Sequence, residues 1–304
     1  MRILLAINGS PPSDRASQLV GSTRWPAGSA IRLVHVMERW PQSFLSMPGV
    51  VASPETIDRI AGAARDQAEE MLGTGVAGLA GAGRTVDCVM LDGRPATAIA
   101  DAARDFGADL IVLGSHGRGP LGSAILGSVA SEVVEYATTP VLVARTTAIQ
   151  RVVLADDGSA SAAAARDLVR WMPGFSGLAV RVVSVSAGQP SWLAWLEPEA
   201  PADIQALEAV IETDQERHQE LAQASAKELR AAGLAAEAEP EGRRGDPGTE
   251  IVRVAQEFNA DLIVMGTRGQ TGLERVLLGS VARKVLQHAH CSVLVIHASR
   301  GGVR

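Results

Sequence analysis

The chain has 304 residues, 46% of them hydrophobic, a net charge of −6 and two cysteines, Cys88 and Cys291. The acidic balance excludes a general nucleic-acid binder, and two cysteines at this spacing exclude both a disulfide framework and a zinc site. No apolar run approaches the ~20 residues that a membrane span needs. Because Asn8 and Gly9 interrupt the first apolar run, it does not resemble a signal peptide. We therefore expect a cytoplasmic protein with neither membrane nor nucleic-acid partners, and read both cysteines as small buried apolar residues.

The predicted elements alternate between strands and helices along the whole chain. Short β-branched runs predict strands at 3–7, 31–36, 85–91, 110–113 and 141–144, and again at 152–155, 180–185, 235–240, 262–265 and 293–296. Alanine-rich segments predict helices at 14–24, 54–72, 96–106, 123–137 and 202–232. The glycine-dense stretch 73–83 follows a helix and is predicted to be a connector. Such alternation indicates parallel sheets covered by helices on both faces.

The second half of the sequence repeats the first. Residues 2–10, 108–114 and 127–130 recur as 151–159, 260–266 and 279–282. The offset is 149 positions early in the repeat and 152 later, so the second copy carries about three extra residues in its middle. Two domains are predicted, at 1–146 and 150–298, in keeping with roughly 100–200 residues per domain.

A glycine pattern follows the fourth predicted strand of each copy. Two glycines, nine residues and a Gly-Ser pair occur as Gly114, Gly117 and Gly127-Ser128, and as Gly266, Gly269 and Gly279-Ser280. Glycines let bare backbone N–H groups approach a ligand, and clustered N–H groups at a helix start suit phosphate oxygens. A structural turn would explain one copy equally well, but two copies favour a binding loop. Neither lysine of the chain lies in a glycine loop, and no Gly-x-Gly-x-x-Gly follows the first strand, which argues against a P-loop and a dinucleotide site.

These motifs, together with the first strand ending in Asp-Gly-Ser and the Ala-Asp-Leu-Ile-Val strand, resemble the universal stress protein family in its tandem-domain form. The resemblance implies two Rossmann-like, five-stranded domains of three α/β/α layers, similar to the adenine nucleotide alpha hydrolases. It also implies ATP binding in one subclass of the family, a role in the stress response, and pairing of domains through the last strand. That pairing gives a pseudo-dimer within the chain or a homodimer, and leaves any other protein partner open.

The resemblance carries the site over residue by residue. The residues expected to hold the phosphates and ribose are Gly114, Gly117, Gly127, Ser128 and Val129 in the first copy, and Gly266, Gly269, Gly279, Ser280 and Val281 in the second. Beside the resemblance, Arg118 and Gln270, which follow the second glycine of each motif, are expected to contact the nucleotide. The first-strand tips, Asn8-Gly9 and Asp157-Gly158, are expected to sit against the nucleoside. Val36 and Val185, at the ends of the second strands, are expected to offer backbone groups to adenine. Arg94 and His116 are further candidate phosphate contacts.

The first copy departs from the family at Asn8, where the second copy keeps the aspartate, Asp157. We therefore expect the second site to bind nucleotide more tightly. With only two lysines, Lys227 and Lys284, the charge of ATP is expected to require Mg²⁺ as well. No nucleophile, base and orienting group can be assembled from matched positions, so no dedicated enzyme is predicted. Three alternatives stay open: a sensor of another adenine nucleotide such as cyclic AMP, a weak ATPase, and a scaffold without nucleotide.

Overall fold

The computed structural model describes residues 1–38, 53–81, 83–116, 126–186, 201–238, 243–267 and 278–297. The chain divides into two compact units, Met1–Thr147 and Ala148–Arg304, called domain one and domain two below. Each domain is described by itself.

Domain one is a parallel five-stranded sheet with helices between its strands. Its elements are β1 (Arg2–Ala6), α1 (Pro11–Ser22), β2 (Ala30–Met37), α2 (Pro54–Leu79), β3 (Thr85–Asp92), α3 (Pro95–Phe106), β4 (Leu110–Gly114), α4 (Ser128–Tyr136) and β5 (Val141–Ala144). The strand order is β3-β2-β1-β4-β5, and every pairing is parallel. Because β1 is central, Ile3, Leu4 and Leu5 are all completely buried, as expected for a strand covered on both faces.

Domain two repeats this arrangement. Its elements are β6 (Arg151–Ala155), α5 (Ala160–Trp171), a 3₁₀ turn (Pro173–Phe175), β7 (Ala179–Val183), β8 (Val185–Ser186), α6 (Pro201–Ala231), β9 (Ala235–Ala238), β10 (Arg243–Arg244), α7 (Pro247–Glu257), β11 (Leu262–Gly266), α8 (Ser280–His288) and β12 (Ser292–Ile296). The strands run β12-β11-β6-β7-β9, and β8 pairs separately with β10. The predicted fold class is confirmed.

Tertiary packing overrides the local signals at two places. The prediction of a connector at 73–83 is wrong for its first part, because α2 continues to Leu79. A side chain at Gly75 would come within 2.5 Å of Cδ2 of Leu33, so this glycine lets the helix pack closely on the sheet. The predicted strand 180–185 is interrupted at Ser184, because Val185 leaves the main sheet to pair with Arg243 of β10.

Two further differences concern helix ends and side-chain burial. Helix α1 begins three residues before the predicted 14, at Pro11, because Ser10 caps it with its side chain and proline suits the first helical turn. Cys88 is exposed, so the expectation that both cysteines are buried holds only for Cys291. Cys88 lies on β3, the outermost strand of the domain-one order, none of whose residues is fully buried.

Candidate functional site

A cavity of about 590 Å³ lies at the carboxyl ends of the strands of domain one. In parallel α/β sheets this edge is where ligands bind. Six of the residues predicted from the sequence line the cavity: Asn8, Val36, Gly114, Gly127, Ser128 and Val129. Side chains that were not predicted complete its wall, among them Ile7, His35, Glu38, Pro95 and Ile99, and His116 also lines it. Sequence reasoning missed the α3 contribution because no motif marks it.

The same type of turn follows the first strand in each domain. Gly9 and Gly158 have φ angles of 68° and 77°, a left-handed conformation that glycine adopts without strain. In domain one, Oδ1 of Asn8 accepts hydrogen bonds from the amide and the hydroxyl of Ser10. In domain two, Oδ1 of Asp157 accepts a hydrogen bond from the amide of Ser159 at 3.0 Å. This turn brings the polar side chain of Asn8 to the cavity wall.

The first glycine of each motif is required by close packing. A Cβ on Gly114 would lie 2.6 Å from the carbonyl carbon of Pro12, and one on Gly266 would lie 2.2 Å from Oγ of Ser161. Neither glycine has a positive φ, so the sharp turn expected from the sequence is not the reason for glycine here. The strand instead needs a bare backbone because the N-terminal turn of α1, or of α5 in domain two, lies against it.

The N-terminus of α4 supplies backbone donors to the cavity. Gly127 is the N-cap and provides no side-chain cap, and the first hydrogen bond of the helix runs from the amide of Ser131 to the carbonyl of Gly127. The amides of Ser128, Val129 and Ala130 therefore have no partner within the helix, and all three residues line the cavity. Domain two has the same start, with Gly279 as the N-cap of α8, followed by Ser280 and Val281.

A second cavity of about 480 Å³ adjoins the first and shares Glu38, Pro95, Ser128 and Val129 with it. Arg94 lines this second cavity with its side chain 81% exposed, and lies 3.6 Å from Glu132. The corresponding pair in domain two has the opposite polarity, because Nζ of Lys284 donates to Oδ1 of Asp246 at 2.7 Å. Asp246 also caps α7, and its bond from Lys284, together with those from Thr249, lowers the pKa of its carboxyl to about 2.

Several predicted residues lie outside the described residues. They are Gly117, Arg118, Gly269 and Gln270 of the site. Their assignments stay predictions. Among the residues that the structure describes, no group of three or more His, Cys, Asp or Glu side chains could hold a metal ion. In the same part of the chain, no helix is both long and apolar enough to span a bilayer.

Domain two contains two polar networks that the sequence did not reveal. Asp156, 2% exposed, accepts hydrogen bonds from Gly158, Arg166 and Ser225. Asp157 is less buried than Asp156.

The second network joins His218 of α6 to Ser184 at the end of β7, across a distance of 2.7 Å. Asp214 stands one helical turn before His218. The sequence signal for this network is an acidic residue four positions before a histidine on a long predicted helix, because such residues lie on the same helix face.

Fold and cavity together define a tandem α/β protein with a ligand-sized cavity at the strand ends of its first domain. A family model described as the universal stress protein family matches residues 1–145 and again residues 148–297. Over 143 residues the chain is 37% identical to a universal stress protein of Thermus aquaticus. The aligned residues make up 47% of this chain and 97% of that relative. The chain therefore belongs to the universal stress protein family.

Other matches are shorter or more distant. A stretch of 52 residues is 64% identical to the universal stress protein MJ0531 of Methanocaldococcus jannaschii, but it spans only 17% of this chain and 31% of that relative. The crystal structure of a universal stress protein from Archaeoglobus fulgidus aligns over 97% of this chain and 96% of its own, with a TM-score of 0.62 and 21% identity. This structural likeness shows that the fold is shared along the whole chain.

Proposed function

We propose that the protein binds an adenine nucleotide, ATP, at the strand ends of both domains, and that it acts in the cytoplasm as a regulatory protein of the stress response. The observation that carries the proposal is the cavity of about 590 Å³, where Asn8, Val36 and the start of α4 meet. Its volume falls within the ~300–1,000 Å³ typical of small-molecule sites.

The chemistry of the wall suits a nucleotide in three ways. The amides at the start of α4, which have no partner within the helix, and the positive end of its helix dipole suit phosphate oxygens. The apolar side chains of Ile7, Pro95 and Ile99 offer a surface to a planar base. Asn8 adds a polar side chain to the same wall, which suits the hydroxyls of a ribose.

In this proposal the protein binds the nucleotide and has no dedicated catalytic activity. The hydroxyl of Ser115 lies 3.0 Å from Nδ1 of His116, which could suggest a nucleophile and its base. However, Ser115 is 1% exposed, and no ion pair between His116 and a described carboxylate orients the imidazole, as a catalytic triad would require. Slow hydrolysis of bound ATP remains the rival, and it predicts continuous phosphate release.

The first test identifies the ligand. Mass spectrometry of small molecules released from the purified, heat-denatured protein is expected to find ATP, and equilibrium binding of ATP, AMP and cyclic AMP should rank ATP first. Tighter binding of cyclic AMP would identify the sensor alternative. A protein that releases no nucleotide and binds none would act as a scaffold, and the proposal would be wrong.

A pair of variants at one position tests the helix start. Ser128→Pro removes one amide donor at the first helical position, where proline is tolerated, and Gly127 already has the extended conformation that precedes proline (φ −68°, ψ 156°). Loss of one charge-assisted hydrogen bond of about 1.5–3 kcal/mol should weaken ATP binding at domain one roughly tenfold or more. Ser128→Ala is the matched control, because it keeps the amide and removes only the hydroxyl. Equal affinities for the two variants would contradict the role of the backbone donor.

A further inference from the structure

Two side chains of α6, one helical turn apart, hold the end of the second strand in domain two. Nδ1 of His218 lies 2.7 Å from Oγ of Ser184, and the hydroxyl of Ser186 donates to Oδ2 of Asp214 at 2.6 Å. Ser184 and Ser186 are 3% and 2% exposed. The backbone of Val185, which lies between them, is therefore anchored to α6 on both sides.

Domain one lacks this arrangement. At the offset of 149 positions that relates Arg2 to Arg151, the counterparts of Ser184 and Ser186 are His35 and Met37. Both line the open cavity, and His35 bonds to the backbone of Ile7 through Nδ1 at 2.9 Å. The anchoring of the second-strand end to the following helix by Ser–His and Ser–Asp bonds is a feature of domain two.

The hydrogen bonds of His218 define its tautomer. Nη2 of Arg217 lies 3.3 Å from Nε2 of His218, and a guanidinium can only donate. Nε2 is therefore the unprotonated acceptor, and Nδ1 carries the hydrogen that is donated to Ser184. The pKa of His218 lies below its ordinary 6.5, mainly because the side chain is buried. The charge of Asp214 acts in the opposite direction, Arg217 lowers the pKa further, and Asp157 raises it. The imidazole is accordingly neutral at pH 7.

A proton on Nε2 would reverse these interactions. Nε2 would become a donor facing the donors of Arg217, so the two cations would repel each other. Among the described residues, the carboxylate paired with the imidazole is Asp214, whose Oδ1 lies 3.8 Å from Nε2. Asp214 now bonds to Ser186, and that bond is the main reason why the pKa of its carboxyl lies below the ordinary value. Movement of Asp214 toward the imidazolium draws it away from Ser186.

We propose that His218 and Asp214 are positioning residues that hold the Val185 backbone for the nucleotide in domain two, and that proton uptake by His218 loosens this hold, so that acid weakens the second site and spares the first. This inference rests on the proposed function, because Val185 corresponds to Val36 of the cavity wall. The described charged groups that face His218 are Asp214 and Arg217 of α6 and, beyond the end of β6, Asp157. Ser184 faces it from the end of β7.

The test uses the full-length protein and a conservative variant. His218→Asn places an amide N–H where Nδ1–H stands and cannot take up a proton, whereas His218→Ala removes the donor. Amide hydrogen exchange is measured without nucleotide, above and below the pKa of His218 found by an NMR titration of its ring nitrogens. Rates are divided by those of an unstructured peptide at the same pH. Residues 31–33 of β2 in domain one serve as the internal control, because they include no histidine or carboxylate.

In the wild type, protection of residues 184–186 is expected to fall about tenfold or more on acidification, an opening free-energy change of about 1.4 kcal/mol. His218→Asn should keep its protection at both pH values, and His218→Ala should have low protection at both. A wild type whose protection does not change with pH, or a His218→Asn variant that loses protection like the wild type, would overturn the proposal.

Calorimetry with ATP then tests the link to binding. Acid should weaken one of two binding events in the wild type and neither in His218→Asn. If the exchange results are as expected and ATP weakens equally in both proteins, the link from His218 to the second site is wrong. If neither protein binds ATP at any pH, the proposed nucleotide function fails, while the exchange data still report on the anchoring itself.

Discussion

Ser10 donates two hydrogen bonds to the same atom of Asn8, Oδ1, from its amide at 3.1 Å and from its hydroxyl at 2.7 Å. The carbonyl oxygen of this amide side chain is thereby committed to the turn, and the group that Asn8 can offer to a ligand is its NH₂. A ribose hydroxyl donates best to an acceptor. Asp157, at the same position of domain two, has two carboxylate oxygens with about four acceptor sites.

The first prediction is an affinity difference between the two sites. A charge-assisted bond from ribose to Asp157 should favour domain two by about 1–2 kcal/mol, roughly tenfold in affinity. Asp157→Asn should remove this advantage, and Asn8→Asp should improve the first site. Calorimetry on the wild type and both variants measures the two sites together. Two equal sites in the wild type, or a tighter first site, would show that other segments set the affinity.

The second prediction concerns magnesium. Among the described residues that line the domain-one cavity there is the carboxylate Glu38 but no lysine or arginine, so a triphosphate there needs a source of positive charge. Mg²⁺ bound mainly through phosphate oxygens and water would provide it. ATP affinity should therefore fall when EDTA is added and recover with excess Mg²⁺, whereas AMP affinity should change much less. An EDTA-insensitive affinity for ATP would assign this task to the backbone amides or to arginines.

The third prediction separates packing from binding at Gly114. A Cβ there would lie within 3 Å of three atoms of Pro12, two of them backbone, so Gly114→Ala should destabilise the protein by about 1–3 kcal/mol. Gly62→Ala is the matched control, because nothing lies within 4 Å of a Cβ at this helical position, and it should stabilise by about 0.5–1 kcal/mol. Chemical denaturation measures both. If the two variants were equally stable, the close approach to Pro12 would not be what requires glycine.

The fourth prediction concerns the buried carboxylate of Asp156. Nη1 of Arg166 donates to Oδ2 of Asp156 at 2.7 Å, and Asp156 has no exposed side-chain surface. Arg166→Met leaves this charge uncompensated and should cost about 3–5 kcal/mol. The triple variant Asp156→Ile, Arg166→Met, Ser225→Ala should recover most of that loss, because isoleucine already occupies the corresponding buried position of domain one, Ile7. A triple variant less stable than Arg166→Met alone would contradict this account.

Strand and helix positions followed largely from local patterns. The strand predicted at 141–144 matches β5 residue for residue. Helix α3 begins at Pro95, one residue before the helix predicted at 96–106. Such agreement is expected where a buried parallel strand appears as a continuous apolar run. The predictions failed where packing decides the outcome, as at Gly75 in α2. In the sequence, a glycine that allows a helix to pack closely on a sheet cannot be distinguished from a glycine that ends a helix.

The sequence alone determined the repeat and the parallel α/β architecture, because both depend on patterns that the residues carry by themselves. The six residues of the cavity wall followed from the glycine motif together with the family resemblance. Only the tertiary structure decided which side chains of α6 reach Ser184 and Ser186, and why Gly114 must be glycine. His218 and Ser184 are separated by 34 positions in the chain and joined across 2.7 Å. The physical reason is that a crossover helix brings distant residues onto one strand end, and its rotation about its own axis is fixed by packing against the sheet.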